Sequence, residues 1–180
     1  ERCLALLRDP RGSREVSLPG VRCLLESDRR LVVSPESSPT LNSDAGLADL
    51  RQPLQIPGRT EIPPLGVAIE AEYCAAEEAP ARGSSGECVL LDADRVGPAL
   101  WVRVPRPGDR FRPLGMGGSK KLSDLFIDAR VPRRSRRLVP VIENGEHLVW
   151  VVGHRLDDRA KLTPQTRRML RLRLLPPAGE

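Results

Sequence analysis

Apolar residues come in short, alternating runs bounded by proline, glycine and acidic turn signals, and this pattern limits the chain to a fold made mostly of strands. The longest apolar runs, such as Leu148-Val149-Trp150-Val151-Val152, are far too short to span a membrane. Strands are predicted over residues 15–18, 21–26, 30–34, 67–74, 88–91, 100–104, 138–142, 147–152 and 169–175. Asp92-Ala93-Asp94 and Glu143-Asn144-Gly145-Glu146 read as turns between neighbouring strands. Helical spacing is confined to residues 1–8, stopped by Asp9-Pro10-Arg11-Gly12, and to residues 121–129. The predicted class is α+β, with a mainly antiparallel core and short helices, preceded by a small helix-plus-hairpin segment.

Residues 34–53 are rich in Ser, Pro, Asn and Asp without a sustained period and read as a linker. They separate a small first unit, 1–33, from a second, 54–175, which is followed by a tail, 176–180. Residues 75–86 are predicted to form a mobile loop. The chain starts at Glu1 inside a helical pattern, so it is expected to be part of a larger protein. No signal peptide or lipidation motif is visible. Cys3, Cys23, Cys74 and Cys88 include no CxxC pair and have no histidine nearby. The expectation is buried thiols in a reducing cytoplasm, with no zinc site.

Charge is segregated. Residues 1–100 hold 11 Lys/Arg against 16 Asp/Glu, a net −5, whereas residues 101–180 hold 18 against 8, a net +10. Such asymmetry points to a polyanionic partner for the second half. A GC-rich genome would account for arginine in place of lysine, since only Lys120, Lys121 and Lys161 are lysines, but not for the segregation.

The basic half contains a glycine-rich loop, Gly115-Met116-Gly117-Gly118-Ser119-Lys120-Lys121, running into the helix predicted at 121–129. It is not a Walker loop, because no lysine directly follows a glycine at the required spacing. What remains is a generic anion nest of flexible glycines, the Ser119 hydroxyl, two ammonium groups and a helix start. The alternative is a plain glycine turn capped by Ser119 with solvated lysines. Arg130, Arg133, Arg134, Arg136 and Arg137 follow; with Arg110, Arg112, Lys120 and Lys121 they place nine cations in 28 residues against Asp124 and Asp128. Guanidinium forks match phosphate oxygens in pairs, while a solvated charged face is the plainer alternative. Aromatics are few, and Trp101 and Trp150 lie in apolar strands and are expected in the core. That scarcity favours a duplex backbone over unpaired bases, which need exposed stacking surfaces. His147 and His154 have no Ser or Cys in a nucleophile motif beside them. Asp92/Asp94 and Asp157/Asp158 read as turn residues before cation ligands.

Three blocks then fall in order and spacing. They are PGDRF-x-PLGM-x-G-x-KKL-x-D-x-x-ID (Pro107 to Asp128), VP-x-x-x-R (Val131 to Arg136), and VWVVGHR-x-DDR followed by K-x-T-x-x-T (Val149 to Thr166). Together they resemble the C-terminal domain of the bacterial tRNA(Ile)-lysidine synthases over residues 87–175. Val16-Ser17-Leu18-Pro19-Gly20 looks like the end of that family's middle, substrate-binding domain. The resemblance implies a sandwich-like C-terminal domain that helps recognise the tRNA acceptor stem. The whole enzyme uses ATP to adenylate the wobble cytidine, after which lysine displaces AMP. Its catalytic domain carries an SGGxDS loop, which Ser84-Ser85-Gly86 do not form. The implied reading is therefore a tRNA-binding fragment with no cofactor of its own, ATP and Mg belonging to the absent N-terminal domain. Its implied partners are tRNA(Ile) and that catalytic domain, with a homodimer left open and no membrane. The expected tRNA-binding residues are Arg110, Arg112, Ser119, Lys120, Lys121, Arg130, Arg133, Arg134, Arg136, Arg137 and Arg155. Rival readings are a non-catalytic structural RNA-binding module using the same basic surface, and a small phosphate-binding enzyme built on the Gly115 loop.

Overall fold

The computed structural model describes residues 47, 49–74 and 86–177, together with the backbone of three strands between residues 14 and 35. The helix expected at 1–8 and nearly all of the loop expected at 75–86 lie outside the described residues. The chain divides into two compact units, Glu1–Ser43 and Asp44–Glu180.

In the first unit β1 (Arg14–Leu18), β2 (Val21–Leu25) and β3 (Leu31–Pro35) form an antiparallel sheet in that order. Its register places Cys23 opposite both Val16 and Val33.

The second unit holds β4 (Arg51–Pro53), β5 (Gly58–Ile62), β6 (Val67–Cys74), β7 (Cys88–Asp92) and β8 (Trp101–Arg103). After these come β9 (Arg110–Phe111), β10 (Lys120–Lys121), β11 (Val141–Glu143), β12 (Leu148–Val151), β13 (Arg155–Leu156) and β14 (Met169–Leu175). Its helices are α1 (Ala93–Val96), α2 (Leu122–Asp128) and α3 (Arg133–Arg136). One sheet runs β5-β6-β14-β7, a second runs β13-β12-β11-β8-β4, and β9 pairs with β10 as a separate ribbon. Every strand pairing is antiparallel.

The two large sheets share one core. Ile62, Ile69, Val89, Leu91, Leu170 and Leu172 come from the first, and Val102, Ile142, Trp150 and Leu156 from the second. The five-stranded sheet is also covered on its other face. There Val141, Leu148 and Val151 join Phe111, Leu122, Leu125 and Phe126 in a second core under α2. With both faces covered, all four residues of β12 are buried. A strand buried on both sides reads as a continuous apolar run, which is the pattern seen at 148–152.

Several local expectations change. Asp92-Ala93-Asp94 is a helix start, not a turn: the Asp92 carboxylate accepts from the Asp94 and Arg95 N–H groups at 3.0 and 3.1 Å and caps α1. The strand expected at 138–142 begins at Val141, because Leu138 and Val139 close turns onto Ser135 and Arg136 after α3. Arg51–Pro53, inside the expected linker, is the edge strand β4 paired with β8, a position that tolerates a proline. The strands β5, β9, β10 and β13 were not expected; three are two residues long, and the Arg-Thr-Glu centre of β5 is too polar to register. Helix α2 buries Leu122, Leu125 and Phe126, and Ala129 is its exposed C-cap residue. Trp150 is buried, whereas Trp101 is partly exposed with the Arg51 guanidinium 4.6 Å above its ring. Cys74 and Cys88 are half-buried.

Phe126 fills the second core at 3 % exposure. Phe126→Ala is expected to cost about 3–5 kcal/mol in denaturant unfolding, and an unchanged midpoint would show that this core does not depend on the ring.

Candidate nucleic-acid interface

The layer outside the second core is built from the chain between Arg103 and Arg137, and buried charges hold it in place. Arg103 is 4 % exposed, within β8. Its guanidinium grips Asp109 with two bonds of 2.8 and 2.9 Å, Glu143 Oε2 at 2.6 Å and the Val104 carbonyl at 2.9 Å. Arg51 adds a bond to Glu143 Oε1 at 2.8 Å. Asp109 also accepts from the Arg106 N–H at 2.8 Å, and its carbonyl accepts from the Leu122 N–H at 2.9 Å. One residue therefore ties β8 and β11 to the turn before β9 and, through Asp109, to the first residue of α2. Burial pushes the Glu143 carboxyl up, but the hydrogen bonds from Arg103 and Arg51 outweigh it and hold the group below its ordinary value.

Asp157 is the second anchor and is fully buried. It accepts from the Arg112 N–H at 2.8 Å, the Arg159 N–H at 3.0 Å and the Arg159 guanidinium at 2.8 and 2.9 Å. The Asp158 N–H returns a bond to the Arg112 carbonyl at 2.7 Å, and Pro113 bridges to Asp157. Burial pushes the Asp157 carboxyl up; the Arg159 side chain and the two backbone N–H groups overcome that and hold it low. The K-x-T-x-x-T segment is structural as well: Lys161 pairs with Asp158, and the Thr166 hydroxyl donates to Asp92 at 2.6 Å.

On this frame Phe111 points into the second core, while its neighbours Arg110 and Arg112 are exposed. Lys121 lies directly across the ribbon from Arg110. Arg155 pairs with Val151, a second-core residue, and so stands on the same face of its sheet. The His154 ring meets Phe126 of α2 edge-on at 5.8 Å, and burial lowers the His154 pKa. Arg130, Arg133, Arg134 and Arg137 are exposed on the turn after α2 and on α3, and Arg130 adopts a left-handed φ of 53°.

The expected cations separate into two kinds. Lys120 is ion-paired with Asp128, Arg110 donates to the Ser119 hydroxyl at 3.1 Å, and the Arg136 Nε donates to the Val131 carbonyl at 2.9 Å. By contrast, the side chains of Arg112, Lys121, Arg130, Arg133, Arg134 and Arg155 form no ion pair or hydrogen bond among the described residues. At the helix start the Leu122 N–H is taken by Asp109, and Ser119 serves Arg110 instead of capping α2. Sequence reasoning missed Arg103, Asp109 and Asp157 as positioning residues. The signal was present in the PGD and DDR blocks, where Asp157 reads as turn chemistry and Asp109 only as part of the motif.

Two antiparallel sheets around one core, with a short-helix layer bearing unpaired cations, define an α+β sandwich domain with a basic outer layer. Residues 100–174 match the family described as the TilS substrate C-terminal domain. The chain is similar to the tRNA(Ile)-lysidine synthase of Symbiobacterium thermophilum, at 40 % identity over 95 % of this chain and 35 % of the relative. It also resembles that of Geobacter sulfurreducens, at 46 % identity over 43 % of this chain and 17 % of the relative. The chain thus spans about a third or less of these relatives. A crystal structure of a TilS C-terminal domain superposes with a TM-score of 0.61 at 27 % identity, covering 73 % of this chain and all of that one.

The low pKa of Asp157 has a signed consequence. Its contribution to stability is full above the unfolded carboxylate value, about 3.9, and is lost as pH falls through the lower folded value. Asp157→Asn is expected to cost about 1–3 kcal/mol at neutral pH and to flatten the loss of stability below about pH 4. Denaturant titrations across pH measure both, and identical acid limbs in the two proteins would exclude Asp157 as the titrating anchor.

Proposed function

We propose that this chain is the tRNA-handling C-terminal part of an ATP-dependent ligase that converts the wobble cytidine of an isoleucine tRNA to lysidine, its basic outer layer bearing on the acceptor stem. The observation that carries this reading is the set of exposed cations without partners on the layer over the second core, in a domain that matches the TilS C-terminal family. Arginine forks engage phosphate oxygens in pairs and lysine supplies a point charge. The few aromatic side chains are mostly core or covered, which suits a duplex backbone more than unpaired bases. Adenylation and lysine transfer, with ATP and Mg, belong to a catalytic domain outside these residues, as no SGGxDS loop occurs in them. On this reading the protein works in the cytoplasm, with that domain and tRNA(Ile) as partners. Among the described residues no helix is long and apolar enough to cross a membrane.

Binding of tRNA should weaken steeply with salt. With about five phosphates engaged, log K against log salt is expected to fall with a slope near −4.5, and a flat response would remove the electrostatic basis of the reading. Lys120→Glu with Lys121→Glu in the intact ligase is expected to raise KM for tRNA while leaving ATP affinity, measured without RNA, unchanged. Unchanged tRNA kinetics in the folded variant would reduce the loop to an ordinary turn. Asp128→Asn frees Lys120 from its ion pair and is expected to tighten tRNA binding and steepen the salt slope by about one unit, read by titration at several ionic strengths.

A further inference from the structure

The tip of the glycine loop has features that the fold itself does not require. Its first foot is clamped: the Leu114 N–H donates to the Leu156 carbonyl at 2.9 Å, the Met116 N–H closes a turn onto Pro113 at 2.9 Å, and the Gly115 N–H reaches Asp158. The other foot is held by Arg110 on Ser119. Gly115 has a φ of +81°, a backbone state that favours glycine. Gly117 and Gly118 are different. Neither has a left-handed φ, and a Cβ added at either would meet no atom within 4 Å. Their backbones form no hydrogen bond among the described residues. Glycine costs backbone entropy on folding, and nothing inside the domain offsets that cost at these two positions. Met116 beside them is 52 % exposed, one of the few large apolar side chains left in water among the described residues.

Resting on the RNA-binding reading above, we propose that residues 115–118 form a groove-contacting tip, in which Met116 packs against the sugars of an RNA duplex and the bare backbone of Gly117 and Gly118 donates to its oxygens. The flanking cations select the occupant. Arg110 and Lys121 face each other across the ribbon and Arg112 leaves the same strand, so the tip emerges between groups that suit phosphates. The minor groove of an A-form duplex is wide and shallow and presents 2′-hydroxyls, which accept from backbone N–H groups. An unbranched thioether adapts to an irregular surface of this kind. The minor groove of B-DNA is narrower and lacks that hydroxyl, so the same tip discriminates RNA from DNA.

The test uses the full chain with an RNA stem-loop of acceptor-stem sequence and the DNA stem-loop of the same sequence, titrated at several salt concentrations. Met116→Ala and the double variant Gly117→Ala with Gly118→Ala are expected to keep the wild-type melting temperature, since all three positions are exposed and open. Each is expected to weaken RNA binding about tenfold, the loss of roughly one buried apolar side chain or its equivalent. The salt slope should stay the same because no charge is removed, and DNA binding should not change. Lys121→Ala is the control, expected to lower the slope by about one on both duplexes. If Lys121→Ala behaves so while the tip variants bind RNA like wild type, or lose RNA and DNA equally, the tip proposal is overturned and the basic-surface reading stands. If Lys121→Ala is also silent, both fall.

Discussion

A single buried guanidinium sets the geometry on which the basic layer depends. Arg103 sits where β8 passes under the second core, and its partners, Asp109 and Glu143, come from a turn and a neighbouring strand. A buried ion pair is a weak source of net stability, because desolvation cancels much of the attraction. Its effect here is on position. A guanidinium whose donors are nearly all satisfied admits few arrangements of its acceptors, so the turn at 105–109 is held where its carbonyl can receive the first N–H of α2. Burial lowers the Arg103 pKa, while the hydrogen bonds and charges of Asp109 and Glu143 raise it further, so the node stays charged.

Asp157 does the corresponding work on the other side of the ribbon. It receives the Arg112 N–H and the whole Arg159 fork, and so spaces the segment that carries Arg110 and Arg112 from the turn that follows β13. Between these anchors the chain has little freedom, which is why a two-residue ribbon with a glycine-rich tip can present charge in a defined place. A site supported by fixed neighbours loses less entropy when it engages a partner.

The charges of the domain serve two purposes that net charge cannot distinguish. Arg171 with Glu72, Arg173 with Glu70 and Arg168 with Asp94 tie the four-stranded sheet and α1 together. The unpaired cations sit elsewhere, beyond Phe111, on the turn after α2 and at the β13 edge. Over the aligned region the chain is similar to tRNA(Ile)-lysidine synthases while spanning only a minor part of their length.

Local pattern determined much of the fold. The strands at 67–74 and 169–175 follow from alternation, the doubly covered β12 from its continuous apolar run, and α2 from the spacing of Leu122, Leu125 and Phe126. The segregation of charge into the second half was equally legible, because charge is a property of composition. Tertiary structure alone decided which cations are spent. Lys120 and Lys121 are adjacent and chemically alike, yet one faces Asp128 and the other faces water, since neighbours in a strand point to opposite sides. The anchors were hidden for a related reason: Asp109 and Asp157 share the local grammar of any turn aspartate, and only the arrival of Arg103 from six residues upstream, or of the Arg112 backbone from 45 residues away, made them structural.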